Sequence, residues 1–293
     1  MQPQSILFCR SKKMGSAEKF LKFDDIATSL VLDPPMGFTR PKLSNADLPP
    51  LHAESTEEML EILKNFKRDQ DTEEALDQLL STQWAKEATA SMSERERAPR
   101  GELAKLIEKY LKGLTVEAGF KLEPDDRFIM ENCKGAKVVA TKHLSKGEDI
   151  LVGPTSKISK DQERQLTLRG VDTSCMLRSS MSNRVQVIFG PITLTNHSCV
   201  PNCEFDCLKS KMVSLRASRD IEPGEELTIY YGEDYFGRNN KACQCSDCKE
   251  KKNGYFRKLK LGENRDRDLF TPEDDKAILK VCKMVVGQSM CLS

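Results

Sequence analysis

Thr195-Asn196-His197-Ser198-Cys199-Val200-Pro201-Asn202-Cys203 is the stretch on which the reading of this chain turns. It comes shortly after an apolar β-type run, Val185-Gln186-Val187-Ile188-Phe189, and sets a polar Asn-His pair where the chain has just left a hydrophobic strand. Taken alone, it reads as a loop whose Asn and His satisfy local backbone groups. Its company overturns that reading. Downstream, Asp220-Ile221-Glu222-Pro223-Gly224-Glu225-Glu226 forms a turn, and Leu227-Thr228-Ile229-Tyr230-Tyr231-Gly232 leaves it as a strand ending in two tyrosines and a glycine. Then comes Cys243-x-Cys245-x-x-Cys248.

Three thiols this close can turn inward on one ion, and a structural zinc site wants four ligands in a tetrahedron. The local run supplies three. The candidates for the fourth are Cys199, Cys203, Cys207 and His197. Six of the eleven cysteines lie between 199 and 248, and an odd total argues for reduced thiols over a disulfide framework. Met1 to Arg10 carries no signal-peptide core, and no apolar run is long enough to span a membrane, so no membrane association is expected. The 46 Lys+Arg against 45 Asp+Glu give a net charge of +1, which provides no global field toward nucleic acid.

Residues 1–23 lack a pattern and read as a tail, and the run from Asp24 to Leu32 reads as a short apolar segment stopped by Pro34-Pro35. Three helices follow. Ser55 with Glu58 looks like a capping box ahead of Met59, Ile62, Leu63 and Phe66. Thr72 opens the second, with Leu76, Leu79, Leu80 and Trp84 inward; Leu103, Leu106, Ile107, Tyr110 and Leu111 line the third. Residues 86–100 between them read as a linker. After Gly119 the pattern becomes β-type, at 137–141, 150–152, 185–189, 212–215 and 227–231, with one exposed helix over 159–169. The fold class is α+β, with a helical unit over 24–118 and a β-rich unit beginning at 119.

The order of the three motifs, and their separation, resembles that of the SET-domain protein lysine methyltransferases. Gly135-Ala136-Lys137-Val138-Val139-Ala140 looks like that family's opening strand. Asp25-Ile26-Ala27-Thr28-Ser29-Leu30-Val31-Leu32-Asp33-Pro34, with Gly37-Phe38, lies outside the SET core. It resembles the N-terminal signature of the Su(var)4-20 type, which methylates lysine-20 of histone H4 to the di- and trimethyl states. Residues 231–240 resemble the same group's entry into the post-SET segment.

The resemblance implies a SET domain over 119–237 with its pseudoknot, a zinc-binding post-SET segment over 238–260 and a C-terminal tail over 261–293. It implies S-adenosylmethionine as methyl donor, contacted by Leu43, Phe128, Ile129, Met130, Glu131, Ala136, Asn196 and His197. Tyr231 falls on the active-site tyrosine and Ile229 on the position that limits product state. Cys199 joins Cys243, Cys245 and Cys248 as the zinc ligands. Histone H4 in the nucleosome is the implied partner, and nucleus and chromatin the implied location. The sequence departs from the group at Ser198, where an Asp is usual, and in a loop before Gly135 that is one residue longer.

Other readings compete. One is a SET enzyme acting on another histone or a non-histone lysine. Another is a SET-fold chromatin-binding protein without catalysis, and a third is a zinc-dependent nucleic-acid-binding module. Residues 249–260 hold six Lys/Arg and one Glu, a net of +5, with Tyr255 and Phe256 interleaved. Such a stretch can contact nucleosomal DNA phosphates.

Overall fold

Phe23, Ile26, Ala27, Leu30 and Val31 recur at helical spacing and are all buried, so they form one face of helix α1 (Ser16–Val31). The computed structural model describes residues 16–38, 48–97, 101–115, 117–125, 127, 135–168, 175–178, 185–208 and 211–256. The reading of 1–23 as a tail is corrected for its last part, because α1 begins at Ser16 and Ala17 and Leu21 extend its buried face. That face also carries Asp24 and Asp25, both buried, and their charge hides the stripe from a hydropathy reading. Nor does the Pro pair simply end the helix. Asp33-Pro34 opens a further turn, α2 (Asp33–Met36), with Pro34 at a position where its missing N–H costs nothing.

Helix α3 (Ala53–Asp69) starts after His52, which places Ser55 inside the first turn and removes it from the expected capping box. Helix α4 (Thr72–Ser81) begins where expected, capped by Asp71, which accepts from Glu74 N at 3.0 Å. The expected linker over 86–100 is largely ordered helix. It contains the end of α5 (Gln83–Thr89) and a short turn, α6 (Glu94–Arg97), anchored by Lys19 Nζ to Glu96 at 3.1 Å. Trp84 is buried and donates to Pro49 O at 3.0 Å. Helix α7 (Glu102–Lys112) buries Leu103, Leu106, Ile107, Tyr110 and Leu111, the face that the periodicity predicts.

Among the described residues the β-rich part contains three small sheets. Strands β1 (Phe120–Asp125) and β2 (Gly135–Ala140) pair antiparallel. An antiparallel sheet follows, built from β3 (Asp149–Ile158), β4 (Met176–Arg178), β5 (Val185–Ile188), β7 (Cys203–Leu208) and β8 (Met212–Ala217), in the order β4-β5-β3-β8-β7. Helix α8 (Lys160–Leu168) leaves β3, as the polar 159–169 run predicts, although Glu163 and Leu166 are buried. The third sheet is a parallel pair, β6 (Asn196–His197) beside β9 (Thr228–Ile229). The strand expected over 227–231 thus pairs at only two residues, and Tyr230 and Tyr231 lie beyond it. Helix α9 (Ser246–Glu250) and a 3-10 turn, Gly254–Phe256, close the described chain.

One buried apolar cluster runs without a break from Ala17 in α1 through α7 to Ile229 in β9. Buried Asp24 pins this junction. Its Oδ1 accepts from Tyr110 Oη at 3.0 Å and from Gly190 N at 2.9 Å, tying α1 to α7 and to the loop after β5. Gly153 permits the same closeness on the sheet side, since a Cβ there would meet Phe189 O at 2.7 Å. We expect Asp24→Ala to remove an acceptor shared by a buried hydroxyl and a buried N–H, costing about 2–4 kcal/mol. Urea unfolding should then show one shifted transition for helices and sheets alike; a helical unit melting separately would contradict the shared core.

Candidate active site and metal centre

The parallel pairing of β6 with β9 brings the Asn-His segment against the Tyr-ended strand. Asn196 lies opposite Thr228 and His197 opposite Ile229, and Ser198 N donates to Ile229 O at 2.9 Å. Before reaching β6, the second strand lies along β2, where Leu227 N donates to Val138 O at 2.8 Å and Ala140 N to Glu225 O at 2.9 Å. Asn202 holds the crossing. Its Nδ2 donates to Glu226 O at 2.8 Å and its Oδ1 accepts from Thr228 N at 2.8 Å. An Asn is suited to this task because its amide carries a donor and an acceptor side by side, matching a strand edge.

Asn196 points the other way, into a charged knot. Its Nδ2 lies 3.0 Å from Asp125 Oδ2, 3.0 Å from Glu226 Oε1 and 3.2 Å from Ala136 O. Arg127 pairs with both carboxylates, at 3.3 Å from Asp125 and in a short contact with Glu226. Burial alone would push the Arg127 guanidinium down, but the Glu226 and Asp125 charges outweigh it and hold Arg127 above its usual range. Two carboxylates against one guanidinium leave the knot formally at −1.

Tyr231 stands at the end of β9. Its hydroxyl donates to Thr195 O at 2.7 Å and its backbone N donates to His197 Nδ1 at 3.1 Å. Tyr235 and Phe236 close around it, with ring centroids at 4.8 Å and 6.3 Å, and Phe236 also covers His197 at 5.0 Å. Thr195 Oγ1 is buried beside this aromatic group with no hydrogen-bond partner among the described residues. Ile229 is buried, whereas Tyr230 is about half exposed and directed away from the core.

The thiols gather on the far side of His197. Cys199 Sγ lies 3.8 Å from Cys243 Sγ, 3.6 Å from Cys248 Sγ and 3.5 Å from His197 Nε2. The ligand atoms of His197, Cys199, Cys243 and Cys245 all lie within 4.8 Å of one another. A thiolate tetrahedron with metal–sulfur bonds of about 2.3 Å has edges of about 3.8 Å, which the Cys199–Cys243 and Cys199–Cys248 spacings match. Cys243, Cys245 and Cys248 are all buried. Hydrogen bonding from Cys243 draws the Cys245 thiol down to about 4, while burial pushes Cys248 up to about 12. The cluster can hold a metal ion.

The chain after α9 seals the cluster. Tyr255 N donates to Cys243 O at 3.0 Å and Asn253 N to Cys248 O at 2.8 Å. Between them Gly254 has φ +53°, and a Cβ there would meet Cys243 O at 2.5 Å. Ser198 joins the seal as well, donating its hydroxyl to Asp247 in a short bond. Burial pushes His197 down to about 4, so its ring is neutral near pH 7. Cys203 and Cys207 sit on β7, outside the cluster.

Of the residues singled out in the sequence, Ala136, Asn196, His197, Ile229, Tyr231, Cys199, Cys243, Cys245 and Cys248 converge on this one region. Leu43, Phe128, Ile129, Met130 and Glu131 lie outside the described residues. Sequence reasoning missed Asp125, Arg127, Asn202 and Glu226. Asn202 and Glu226 were visible inside the quoted motifs, but nothing in a single sequence distinguishes a clamp from a turn residue. Asp125 and Arg127 carry no local signal.

Comparison with known proteins agrees with this geometry. The SET domain family matches residues 135–232. A histone-lysine N-methyltransferase Suv4-20 of Caenorhabditis elegans is 30% identical over 88% of this chain and 88% of its own length. The Suv4-20 protein of Caenorhabditis briggsae is 29% identical over 80% of this chain and 71% of its own. The histone-lysine N-methyltransferase set9 of Aspergillus terreus is 30% identical over 78% of this chain, although this covers only 36% of that longer protein.

The crossing of the two strands rests on Asn202, so Asn202→Ala should leave Glu226 O and Thr228 N buried without partners, at a cost of about 2–4 kcal/mol. Equilibrium unfolding in urea should show a lower midpoint with an unchanged slope; a midpoint equal to wild type would remove Asn202 from that role.

Proposed function

We propose that this chain, which belongs to the Suv4-20 family of SET-domain histone-lysine N-methyltransferases, transfers methyl groups from S-adenosylmethionine to lysine-20 of histone H4 in nucleosomes, carrying it at least to the dimethyl state. The observation that carries this is the Tyr231 hydroxyl. With its proton committed to Thr195 O at 2.7 Å, the phenol meets the reaction as a hydrogen-bond acceptor. An unperturbed tyrosine keeps its proton to a pKa of about 10. Tyr231 therefore orients the incoming amine and attracts the positive methyl end, and it is neither nucleophile nor base.

When bound, S-adenosylmethionine supplies an electrophilic methyl on a sulfonium. Asn196, His197, Ala136, Leu43, Phe128, Ile129, Met130 and Glu131 are the residues we assign to holding it. The formal −1 of the Asp125–Glu226–Arg127 knot beneath Asn196 supports this, because it complements a ligand of net positive charge. The orphaned Thr195 Oγ1 also supports a polar ligand or water here, since a buried hydroxyl without a partner costs about 1–3 kcal/mol. Tyr235 and Phe236 exclude water and favour a neutral amine, and holding donor and acceptor in line supplies much of the rate. Ile229 offers no hydroxyl to fix a water where a further methyl must go, which supports products beyond monomethyl.

Cys199, Cys243, Cys245 and Cys248 would hold one zinc ion, whose part is structural: it ties the segment after residue 238 across the site. The exposed Lys249, Lys251 and Lys252, with Tyr255 and Phe256 behind them, support a contact with nucleosomal DNA, and such a protein would work in the nucleus on chromatin. Replacing the three lysines with Gln should weaken nucleosome binding, and flatten its dependence on salt by about three phosphate contacts; an unchanged slope would exclude that contact.

Incubation of the full chain with nucleosomes and labelled S-adenosylmethionine, with mass spectrometry of every histone, tests the substrate. Dimethyl lysine-20 of H4 is the expected product; label on another histone, or a monomethyl product only, would overturn the assignment. Tyr231→Phe should retain calorimetric binding of the methyl donor and lose about 10²-fold or more in turnover, the scale seen when an electrostatic catalytic group is removed. Wild-type turnover would remove Tyr231 from the reaction.

A further inference from the structure

His197 is in contact with two parts of the site at once. Its Nδ1 accepts from the backbone N–H of Tyr231 at 3.1 Å, and its Nε2 lies 3.5 Å from Cys199 Sγ. An Nδ1 that accepts an N–H carries no proton, so in a neutral ring the proton sits on Nε2. Nε2 then faces the Cys199 sulfur as a donor. An imidazole bound to a metal through Nε2 has its remaining proton on Nδ1, where it would confront the Tyr231 N–H head on. His197 is close enough to the thiols to be mistaken for a ligand, but its hydrogen bonding is the wrong way round for one. Cys248, at 3.6 Å from Cys199, is free of that objection.

We propose that His197 is a positioning residue that couples the metal cage to the active-site tyrosine, its Nε2–H donating to the Cys199 thiolate while its Nδ1 fixes the backbone of Tyr231. This rests on the reading of the four thiols as a zinc cage and of Tyr231 as the reacting-end tyrosine. The ring is held in this orientation by Tyr230, Tyr231 and Phe236, whose centroids lie 5.4, 5.6 and 5.0 Å away. Its donor end draws charge off a sulfur that already shares its surroundings with three others. Movement of Cys199 is thereby transmitted across one rigid five-membered ring to the main chain that carries the phenol. Phe236, which belongs to the same small cluster as Cys243, Cys245 and Cys248, makes the second link between cage and tyrosine.

The test uses the full chain loaded with cobalt(II), whose absorption reports ligand identity, together with long-range proton–nitrogen NMR of the wild-type imidazole. The NMR should show His197 protonated at Nε2 and bare at Nδ1, and the cobalt spectrum should be that of four thiolates. His197→Phe should keep the four-thiolate spectrum, shift its sulfur-to-metal band to lower energy and weaken metal binding by about 10–100-fold, the usual cost of losing an outer partner of a ligand. His197→Gln has both an acceptor and a donor to offer and should recover most of that loss, a rescue that simple loss of packing would not allow. Circular dichroism checks that each variant is folded, and the wild-type NMR result holds whether or not His197→Phe folds. A three-thiolate, one-nitrogen wild-type spectrum, a proton on Nδ1, or unchanged affinity in His197→Phe would each overturn the proposal. A wild-type chain that takes up no metal would also overturn it, and would be told apart from those outcomes because the cage reading itself would then have failed.

Discussion

Everything at the site depends on two short segments running side by side in the same direction. Parallel neighbours cannot be joined by a hairpin, so β6 and β9 must reach each other by way of other structure. Here the intervening chain forms β7 and β8, and the returning strand first lies along β2 before reaching β6. Asn202 substitutes for the ladder that a two-residue pairing is too short to supply, giving a donor to Glu226 O and an acceptor to Thr228 N on the returning strand. Because the crossing is fixed, Asn196 faces the charged knot while His197 faces the aromatics and thiols, by the plain alternation of side chains along a strand.

The same alternation divides the labour of the site. On one side are charges that cancel to a small negative remainder; on the other are aromatic rings and a cluster of sulfurs. The two sides meet at the backbone between residues 195 and 199. The geometry gives a reason for the order of the motifs along this chain: each motif supplies one face of a single crossing.

The legible parts of this protein were those where chemistry forces residue type. Thiols spaced for one ion, an Asn-His pair after a strand and a Tyr-ended strand all point inward, and a single sequence carries them openly. The helix faces at Met59 to Phe66 and at Leu103 to Leu111 were legible for the same reason, since burial demands apolar side chains at fixed intervals. The remainder was hidden where burial is bought with charge. Asp24 sits in the buried face of α1 because Tyr110 and Gly190 satisfy it from far along the chain, and no local window can see them. Asp125 and Arg127 are hidden likewise, as partners chosen in three dimensions. The start of α3 was misplaced because Ser55 and Glu58 fit a capping pattern that two earlier helical residues, Ala53 and Glu54, make redundant.

The Asp24–Gly190 bond spans 166 residues, and that separation has a meaning in time. A ribosome adding about 5–20 residues each second needs roughly ten to thirty seconds to pass from one partner to the other. During that interval α1 has been made, but the loop whose N–H donates to its buried carboxylate does not yet exist. The bond that ties this helix to the loop after β5 can therefore form only once β1 to β5 have all been synthesised.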